Sequence, residues 1–332
     1  ERFLANCDPM HSHGIRFIAP GDHVFDVPFI ADYDPAVHPV PGFTLERKVF
    51  DDFMMKEVLA CPSGQLKTGT TVKKISRSPK GFTVEAEGLQ IQSKLLIDAS
   101  GTSSAFEFPY LKEDPANRKT ALAVRAYYEG VSDLHPQNFI ELYFLEDLLP
   151  GYFWIFPLPG GKVNAGIGVR KDVLLKKKLK LSAIMDRIIR EHPLIAPRFK
   201  NAKRLSKPAA YRLPLGNPRF RISGEGYLLA GDAAHLVDPL TGEGVGNALY
   251  SGFIAAEQMI DCLQLGVDLI TGLKKRFQGI IEDRIFKELH HIPTEIEGHQ
   301  LRQRERQRHR LLQGIEQLPT GPAVVVVVEY RK

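Results

Sequence analysis

An acidic residue and a group of glycines follow an apolar run in the second half of the sequence. Asp232 comes directly after Gly231 and the apolar run at residues 227–230. The carboxyl end of a strand is where open α/β sheets bind ligands. A carboxylate there accepts hydrogen bonds from the hydroxyl groups of a sugar or a ribitol chain. The pattern therefore predicts that Asp232 binds a polyol.

Three glycines, Gly242, Gly244 and Gly246, surround the start of a helix predicted over residues 244–263. They leave the helix start without side chains, so that a flat ligand can approach the backbone. The first free N–H groups and the positive end of the helix dipole favour an electron-rich edge. The pyrimidine edge of a flavin, which gathers negative charge on reduction, fits this requirement. The alternative is that these glycines only let the helix pack tightly on a sheet.

The remaining pattern predicts the elements that position these residues. Helical spacing of apolar residues is found at residues 46–60, and strand-like runs are found at 70–75, 81–86 and 94–97. Repeated prolines predict an irregular segment over the first 40 residues. Aromatic and β-branched alternation runs from 120 to 169, with two strands joined at Pro159-Gly160-Gly161, and 173–190 has helical spacing. An α/β unit is thus interrupted by an antiparallel segment and then resumed.

Composition limits the class of protein. The 332 residues are 43% apolar and 25% charged, as in ordinary soluble proteins, and no apolar run approaches the length of a membrane-spanning helix. Three widely spaced cysteines in no metal-ligand pattern favour a reducing compartment, the cytoplasm, and no metal site. The net charge of +5 is concentrated at residues 176–180 and 302–310. These runs are typical of solvated helix faces or of attraction to anionic partners such as lipid headgroups, and not of nucleic-acid binding.

Four stretches in this order resemble the geranylgeranyl reductase-like flavoproteins of the p-hydroxybenzoate hydroxylase fold group. The first is RKVFDDFMMKEVL (47–59), similar to an Arg-x-x-Phe-Asp helix, and the second is LLIDASGTSS (95–104), similar to a strand and turn that contacts flavin. The third is GYFWIFPLPGGKVNAGIG (151–168), similar to the reductase signature, and the fourth is GDAAHLVDPLTGEGVGNALYSG (231–252), similar to the second flavin motif.

The resemblance implies a Rossmann-like FAD-binding domain, incomplete at its N-terminus, with an inserted and mainly antiparallel substrate domain. The implied organisation is residues 1–118 and 207–290 for FAD, 119–206 for substrate, and 291–332 unassigned. Asp232 would hold the ribityl chain and residues 244–248 would lie under the isoalloxazine. The implied cofactor-binding residues are Arg47, Ser100, Gly101, Gly231, Asp232, Pro239, Gly242, Gly244, Val245, Gly246 and Asn247. The implied substrate-binding residues are Tyr152, Trp154, Phe156, Pro157, Asn164 and Gly166.

Alternate residues of a strand share a face, so Tyr152, Trp154 and Phe156 are expected to form one aromatic wall that suits a prenyl chain. Plain sheet core is the alternative, and small residues on the neighbouring run, Asn164 and Gly166 among them, favour the first interpretation because they leave room for a ligand.

The sequence departs from the group's pattern in three places, one of which is the tail past residue 290, which does not match the aromatic C-terminal helices expected of the group. A Gly-x-Gly-x-x-Gly strand–turn–helix, which would seat the ADP half of FAD, is not found before Arg47. Either the sequence is a fragment of a longer protein or FAD binding is weakened. Ser100-Gly101 stands where Asp-Gly is expected, and serine carries no charge.

The leading hypothesis is an FAD-dependent oxidoreductase that reduces carbon–carbon double bonds of an isoprenoid substrate, with NAD(P)H or another electron donor. The expected partner is an apolar small molecule, and the chain is expected to be cytoplasmic or peripheral to a membrane. His235 is a candidate proton donor, and the alternative is a histidine that caps a helix or supports the site from behind the residues that contact the ligand. Two other hypotheses remain open: an FAD-dependent monooxygenase, and a non-catalytic relative that binds an apolar ligand without flavin.

Overall fold

The computed structural model describes residues 2–62, 64–102, 120–177, 180–216 and 220–264, and the backbone of 324–328. They pack as two compact units, Glu1–Cys61 with Thr120–Arg212 and Pro62–Lys119 with Leu213–Lys332. The second basic run, residues 302–310, lies outside the described residues. The same is true of residues 103 and 104 of the second family-like stretch and of residues 178 and 179 of the predicted helix 173–190. None of the described helices has both the length and the apolarity needed to span a bilayer.

The first unit is built on an eight-stranded sheet. From one edge its strands are His23–Pro28, Gly14–Ala19, Ile140–Tyr143, Gly151–Leu158, Lys162–Arg170 and Thr120–Glu129, and both Lys203–Arg204 and Ala209–Pro214 pair with the last of these. Gly14–Ala19 and Ile140–Tyr143 run parallel. A separate two-stranded ladder joins Met10–His11 to Phe43–Thr44. The helices are Arg2–Cys7, Arg47–Leu59, Lys171–Lys177, Leu181–Glu191 and Ala196–Phe199.

One face of this sheet carries the core of the first unit. Phe153 and Ile155 are fully buried, and they share an apolar cluster with Met185 and Ile188 of the helix Leu181–Glu191. The buried positions of that helix recur three and four residues apart, which is the spacing that places them on one face. The helix therefore covers the sheet face on which Phe153 lies.

The second unit contains the buried strands at which the sequence analysis placed the cofactor. A four-stranded sheet has the order Ser223–Gly224, Tyr227–Leu229, Leu95–Ala99, Val324–Val328, and a three-stranded sheet contains Val72–Ser78, Gly81–Ala86 and Leu89–Ser93. The motif helix, Val245–Gln264, follows. Leu95, Leu96 and Ile97 are buried, which confirms the prediction of a strand covered on both faces. Val324–Val328 pairs with it in parallel, so this part of the unassigned tail belongs to the sheet.

The prediction of an irregular N-terminal segment is wrong. Gly14–Ala19 and His23–Pro28 form an antiparallel hairpin. The Pro20-Gly21 pair, taken as a break, is the turn that joins them, with Gly21 and Asp22 in the left-handed region at φ 80° and 61°. The packing also groups Glu1–Cys61 with Thr120–Arg212, whereas the sequence analysis placed these first residues in the cofactor domain, because Gly14–Ala19 pairs with Ile140–Tyr143.

Candidate functional site

Two of the stretches assigned to flavin meet at one edge of the sheet in the second unit. The strands Leu95–Ala99 and Tyr227–Leu229 are parallel, with Leu229 opposite Asp98. The N–H of Ala230 donates to the carbonyl oxygen of Asp98 at 2.9 Å. Because parallel strands end at the same edge, the Ser100-Gly101 and Gly231-Asp232 pairs follow neighbouring strand ends, as the position of a ligand site in such a sheet requires.

Ser100 is held by an acid that the sequence analysis did not select. Asp98 is fully buried, and its Oδ1 accepts hydrogen bonds from the backbone N–H of Ser100 at 2.9 Å and from the Ser100 hydroxyl. The hydroxyl of Ser100 is therefore engaged within its own loop. Gly101, at φ 72°, has no atom of the described residues within 4 Å of the position that a Cβ would take, so its backbone is open toward the part of the chain that the structure describes.

Gly231 is required by close packing on the motif helix. A Cβ on Gly231 would lie 3.1 Å from the Cβ of Ala248, and its backbone, at φ 58°, donates to the Ser251 hydroxyl at 2.9 Å. Gly231 therefore serves close packing against the helix, which is the alternative that the sequence left open for the glycines of this motif. Asp232 follows, partly exposed, and its Oδ1 would lie 3.7 Å from a Cβ on Gly244. The structure thus brings the predicted polyol-binding acid beside the backbone that leads into the helix.

The start of the motif helix is not bare. The carboxylate of Glu243 accepts a hydrogen bond from the N–H of Gly246 at 2.6 Å. The expectation that the glycines leave these amides free is therefore wrong at Gly246. Glu243 is exposed and lies in the segment just before the helix, where acidic side chains cap the free amides and interact favourably with the dipole. That preference is the sequence signal by which Glu243 could have been found.

The side chain of Asp238 organises the loop before the helix. Asp238 is buried, and its Oδ1 accepts hydrogen bonds from the backbone of Leu240 at 2.6 Å and of Thr241 at 2.9 Å. Pro239 is exposed at the tip, and Gly242 takes φ 74°, a conformation that favours glycine. These contacts fix the path of the chain into the helix.

Asn247 and His235 are partly buried next to this loop in the chain. The Asn247 side chain donates to the carbonyl oxygen of Leu236 at 2.8 Å, so it ties the first helical turn to the loop. His235 ends a one-turn helix, Gly231–Ala234, in the left-handed conformation at φ 54°. Its ring centroid lies 4.1 Å from that of Phe220. These contacts match the cap alternative stated for His235.

The aromatic side chains of the first unit form the wall that alternation predicted. On the strand Gly151–Leu158, the side chains of Tyr152, Trp154 and Phe156 are partly exposed, whereas Phe153 and Ile155 between them are fully buried. The ring centroids are 6.0 Å apart from Tyr152 to Trp154 and 6.0 Å apart from Trp154 to Phe156. The wall therefore lies on the sheet face opposite the core of this unit.

The small residues beside the wall contact the side chain of Trp154. Trp154 lies opposite Gly166, and a Cβ on Gly166 would come within 2.5 Å of Cζ2 of the indole. The indole N–H donates to Oδ1 of Asn164 at 3.1 Å. The expectation that Gly166 leaves room for a ligand is wrong, because the Trp154 ring occupies that space. Pro157 is also buried rather than part of the wall surface, and its carbonyl oxygen accepts a hydrogen bond from the Thr44 hydroxyl.

Arg47 begins the helix Arg47–Leu59 in the first unit. Its guanidinium forms an exposed ion pair with Asp51, one helical turn away, at 3.1 Å.

Within the described part of the chain, no group of three or more His, Cys, Asp or Glu side chains is arranged to hold a metal ion.

The residues of the second unit fit an isoalloxazine edge once the Glu243 carboxylate moves away from the N–H of Gly246. Gly101 is open, Asp232 lies beside Gly244, and the helix start presents backbone N–H groups at the end of two parallel strands. Glu243 is the group that a flavin would have to displace from Gly246. Since Glu243 is exposed, its side chain can rotate into solvent.

Comparison with known proteins identifies relatives of the chain. No protein-family model matches it. A digeranylgeranylglycerophospholipid reductase of Methanococcus vannielii is 31% identical over 228 residues, which are 65% of this chain and 54% of that protein. The reductase of the same name from Thermoplasma volcanium is 28% identical over 297 residues, 86% of this chain and 69% of that protein. The chain is a homologue of the digeranylgeranylglycerophospholipid reductases. It spans about half the length of the first of these two relatives.

Solved structures confirm the predicted Rossmann-like flavoprotein fold. A geranylgeranyl bacteriochlorophyll reductase-like protein of Thermoplasma acidophilum has a TM-score of 0.74 at 21% identity, covering 96% of this chain and 78% of that one. A halogenase solved in complex with FAD has a TM-score of 0.62 at 14% identity, covering 84% and 60%. Together with the reductase homologues, these findings confirm the resemblance that the four sequence stretches predicted.

Proposed function

We propose that this chain acts as an FAD-dependent reductase that saturates carbon–carbon double bonds of an isoprenoid lipid. The observation that carries the proposal is the aromatic wall of Tyr152, Trp154 and Phe156, on the sheet face opposite the core, in a homologue of the digeranylgeranylglycerophospholipid reductases. Rings at this spacing present a continuous apolar surface, and such a surface suits a prenyl chain.

When bound, reduced FAD would supply the hydride that adds to one alkene carbon, and a proton from a general acid or from water would complete the addition at the other carbon. An isolated alkene accepts hydride poorly, so alignment by the protein has to supply much of the rate. Asp232 would accept hydrogen bonds from the ribityl hydroxyls, and the N–H groups of Val245 to Asn247 would face the electron-rich edge. We propose a structural role for His235, as the cap of its turn, because its ring packs on Phe220.

The test is reduction of a geranylgeranyl lipid by the purified chain with FAD and dithionite under anaerobic conditions. We expect a product that has gained two hydrogens per reduced double bond, detected by mass spectrometry. Trp154→Ala is expected to lower turnover strongly, and Trp154→Phe, which keeps a ring in the wall, is expected to retain more of it. A chain that stays colourless with added FAD would instead support the non-catalytic alternative.

The monooxygenase alternative is separated by oxygen. The FAD-bound halogenase neighbour shares the fold at low identity, so the fold alone does not choose between these chemistries. With NADPH and air, a reductase is expected to give no oxygenated lipid. Stoichiometric incorporation of an oxygen atom into the product would replace the reductase proposal.

Peripheral contact with a lipid surface is part of the same proposal. The edge strand His23–Pro28 exposes Val24, Phe25 and Val27, whose exposed fractions are 52%, 58% and 49%. An apolar edge of this kind favours contact with lipid. We expect the chain to sediment with phospholipid vesicles, and Phe25→Ser to reduce the sedimented fraction. Equal sedimentation of both proteins would contradict the contact.

A further inference from the structure

Arg125 lies at the margin of the aromatic wall. It is on the strand Thr120–Glu129, opposite Gly166, which is itself opposite Trp154. A Cβ on Gly166 would come within 2.5 Å of the Trp154 indole and 2.8 Å of the Arg125 Cβ. The indole and the arginine stem therefore flank the same point of the sheet face, so the wall ends at a cationic side chain.

Two tyrosines hold the Arg125 guanidinium. Its central carbon lies 4.3 Å from the ring centroid of Tyr127 and 5.6 Å from that of Tyr211. Its Nη2 donates to the phenolic oxygen of Tyr211 at 3.2 Å. Stacking on aromatic rings orients a guanidinium without neutralising its charge. The clamp thus fixes the direction of the cation and leaves its other donors available.

Arg125 has no carboxylate partner within ion-pair distance among the residues that the structure describes. Other arginines of this unit do have one: Arg16 pairs with Asp26 at 2.7 Å, and Arg204 pairs with Asp186 at 2.9 Å. Burial and the negative charge of Glu46 raise the pKa of Tyr127, and Glu46 is itself paired with Lys162 at 2.8 Å. A partly exposed, oriented and unneutralised guanidinium is well suited to bind an oxyanion through two parallel hydrogen bonds.

The neighbourhood of the wall indicates which anion this is. An apolar surface that ends at an oriented cation matches a ligand with a long apolar chain and an anionic head. We propose that Arg125, clamped by Tyr127 and Tyr211, binds the phosphate group of an isoprenoid phosphate ester whose chain lies on the wall. The inference rests on the proposed function for the nature of the chain. The inference adds Arg125 as the residue that binds the phosphate head group.

The test uses Trp154, the single tryptophan of the chain, as the reporter. Its emission is followed while the purified protein is titrated with geranylgeranyl phosphate, with neutral geranylgeraniol and with inorganic phosphate. The variants are Arg125→Gln, Arg125→Lys and, as a matched loss of an arginine, Arg170→Gln, whose side chain pairs with Asp172 on the surface. Far-ultraviolet circular dichroism checks that each variant is folded.

Arg125→Gln is expected to weaken binding of geranylgeranyl phosphate about 10- to 100-fold, as loss of a charged hydrogen-bond pair does, and to leave geranylgeraniol binding unchanged. Arg125→Lys should recover part of the affinity, and Arg170→Gln should match the unmodified protein. Tight binding of inorganic phosphate alone, with no gain from the prenyl chain, would overturn the proposal of a lipid head in favour of a free-phosphate site.

Two further results would overturn the inference. One is equal weakening of the phosphate and the alcohol in Arg125→Gln, which would mean that Arg125 only supports the wall. The other is the absence of any discrimination between the two ligands by the unmodified protein. These readouts need no flavin and no turnover. Loss of reductase activity with intact phosphate discrimination would therefore refute the proposed function alone.

Discussion

The indole N–H of Trp154 donates to the side-chain oxygen of Asn164 on the neighbouring strand, 3.1 Å away. This bond turns the indole along the sheet face, over Gly166. The polar atom of the indole is thereby satisfied inside the protein, and the surface that the Trp154 ring leaves to a ligand is apolar. The orientation of the wall depends on this pair and on the absence of a side chain at Gly166.

Gly166→Ala is expected to destabilise the protein by about 1–3 kcal/mol, the usual cost of overpacking. Its Cβ would lie 2.4 Å from the carbonyl oxygen of Val124 and 2.5 Å from the indole. Gly168 is the matched control, because among the described residues its Cβ would meet only the indole, at an ordinary 3.6 Å. We expect Gly168→Ala to lie within about 0.5 kcal/mol of the unmodified protein. Urea unfolding measures both, and equal free energies for the two variants would contradict this account.

The sequence was sufficient to predict the elements of the site and their order. Alternation predicted the strands Gly151–Leu158 and Lys162–Arg170 and the shared face of Tyr152 and Trp154, because a strand has only two faces. The motif helix was predicted from its apolar spacing. These are local properties, set by residues close together in the chain.

The contacts that decide what each residue does were not predictable in the same way. Gly166 was taken as room for a ligand, but only the cross-strand register shows that Trp154 fills this space. Arg125 was not selected because neither its position beside the wall nor its clamp, formed with Tyr211 from a strand 86 residues away, is visible in local sequence. The hairpin at Pro20 was missed because prolines and glycines mark a turn between strands as readily as an irregular segment.

Glu243 offers a test of the flavin edge. Its carboxylate accepts the N–H of Gly246, which a flavin would also require. Glu243→Ala should cost the helix about 0.5–2 kcal/mol, as loss of a cap does, yet bind FAD several-fold more tightly because the amide is free. Glu225→Ala, which removes an exposed acid of the same unit, is the control. FAD fluorescence titration measures the affinity, and weaker binding in Glu243→Ala would show that Glu243 supports the flavin instead of competing with it.

The buried ion pair of the first unit is expected to contribute strongly to its stability. Arg198 and Glu141 are 8% and 1% exposed, and Arg198 also donates to the carbonyl oxygens of Ser132 and Asp133 at 3.0 and 2.9 Å. Arg198→Met leaves a buried carboxylate without its partner, so we expect a loss of about 3–5 kcal/mol in chemical unfolding.

Two comparisons test that explanation. Arg190→Met breaks an exposed pair with Glu191, whose side chains are 69% and 59% exposed, and should change stability by less than about 1 kcal/mol. Combining Arg198→Met with Glu141→Leu removes both charges and should recover part of the loss. A double variant no more stable than Arg198→Met would mean that the cost lies in packing and not in the unpaired charge.

His135 is expected to make the stability of the first unit fall in mild acid. Burial, followed by the nearby charge of Arg16, lowers the pKa of His135 below its usual value, although Asp26 acts in the opposite direction. The ring packs on Phe139 with centroids 3.9 Å apart, and its Nδ1 accepts the N–H of Gln137 at 3.2 Å, a bond that only a deprotonated Nδ1 can accept. The folded state thus favours neutral His135, whereas the unfolded chain takes up a proton near pH 6.5. The free energy of unfolding should therefore be constant above about pH 7 and decrease as the pH falls from about 6.5 through the lower folded pKa.

His135→Asn keeps an acceptor for Gln137 but cannot titrate, so its urea-unfolding free energies should show a shallower pH dependence between about pH 7 and pH 5. An unchanged slope in this variant would assign the pH dependence to His192, whose pKa burial also lowers, or to other groups.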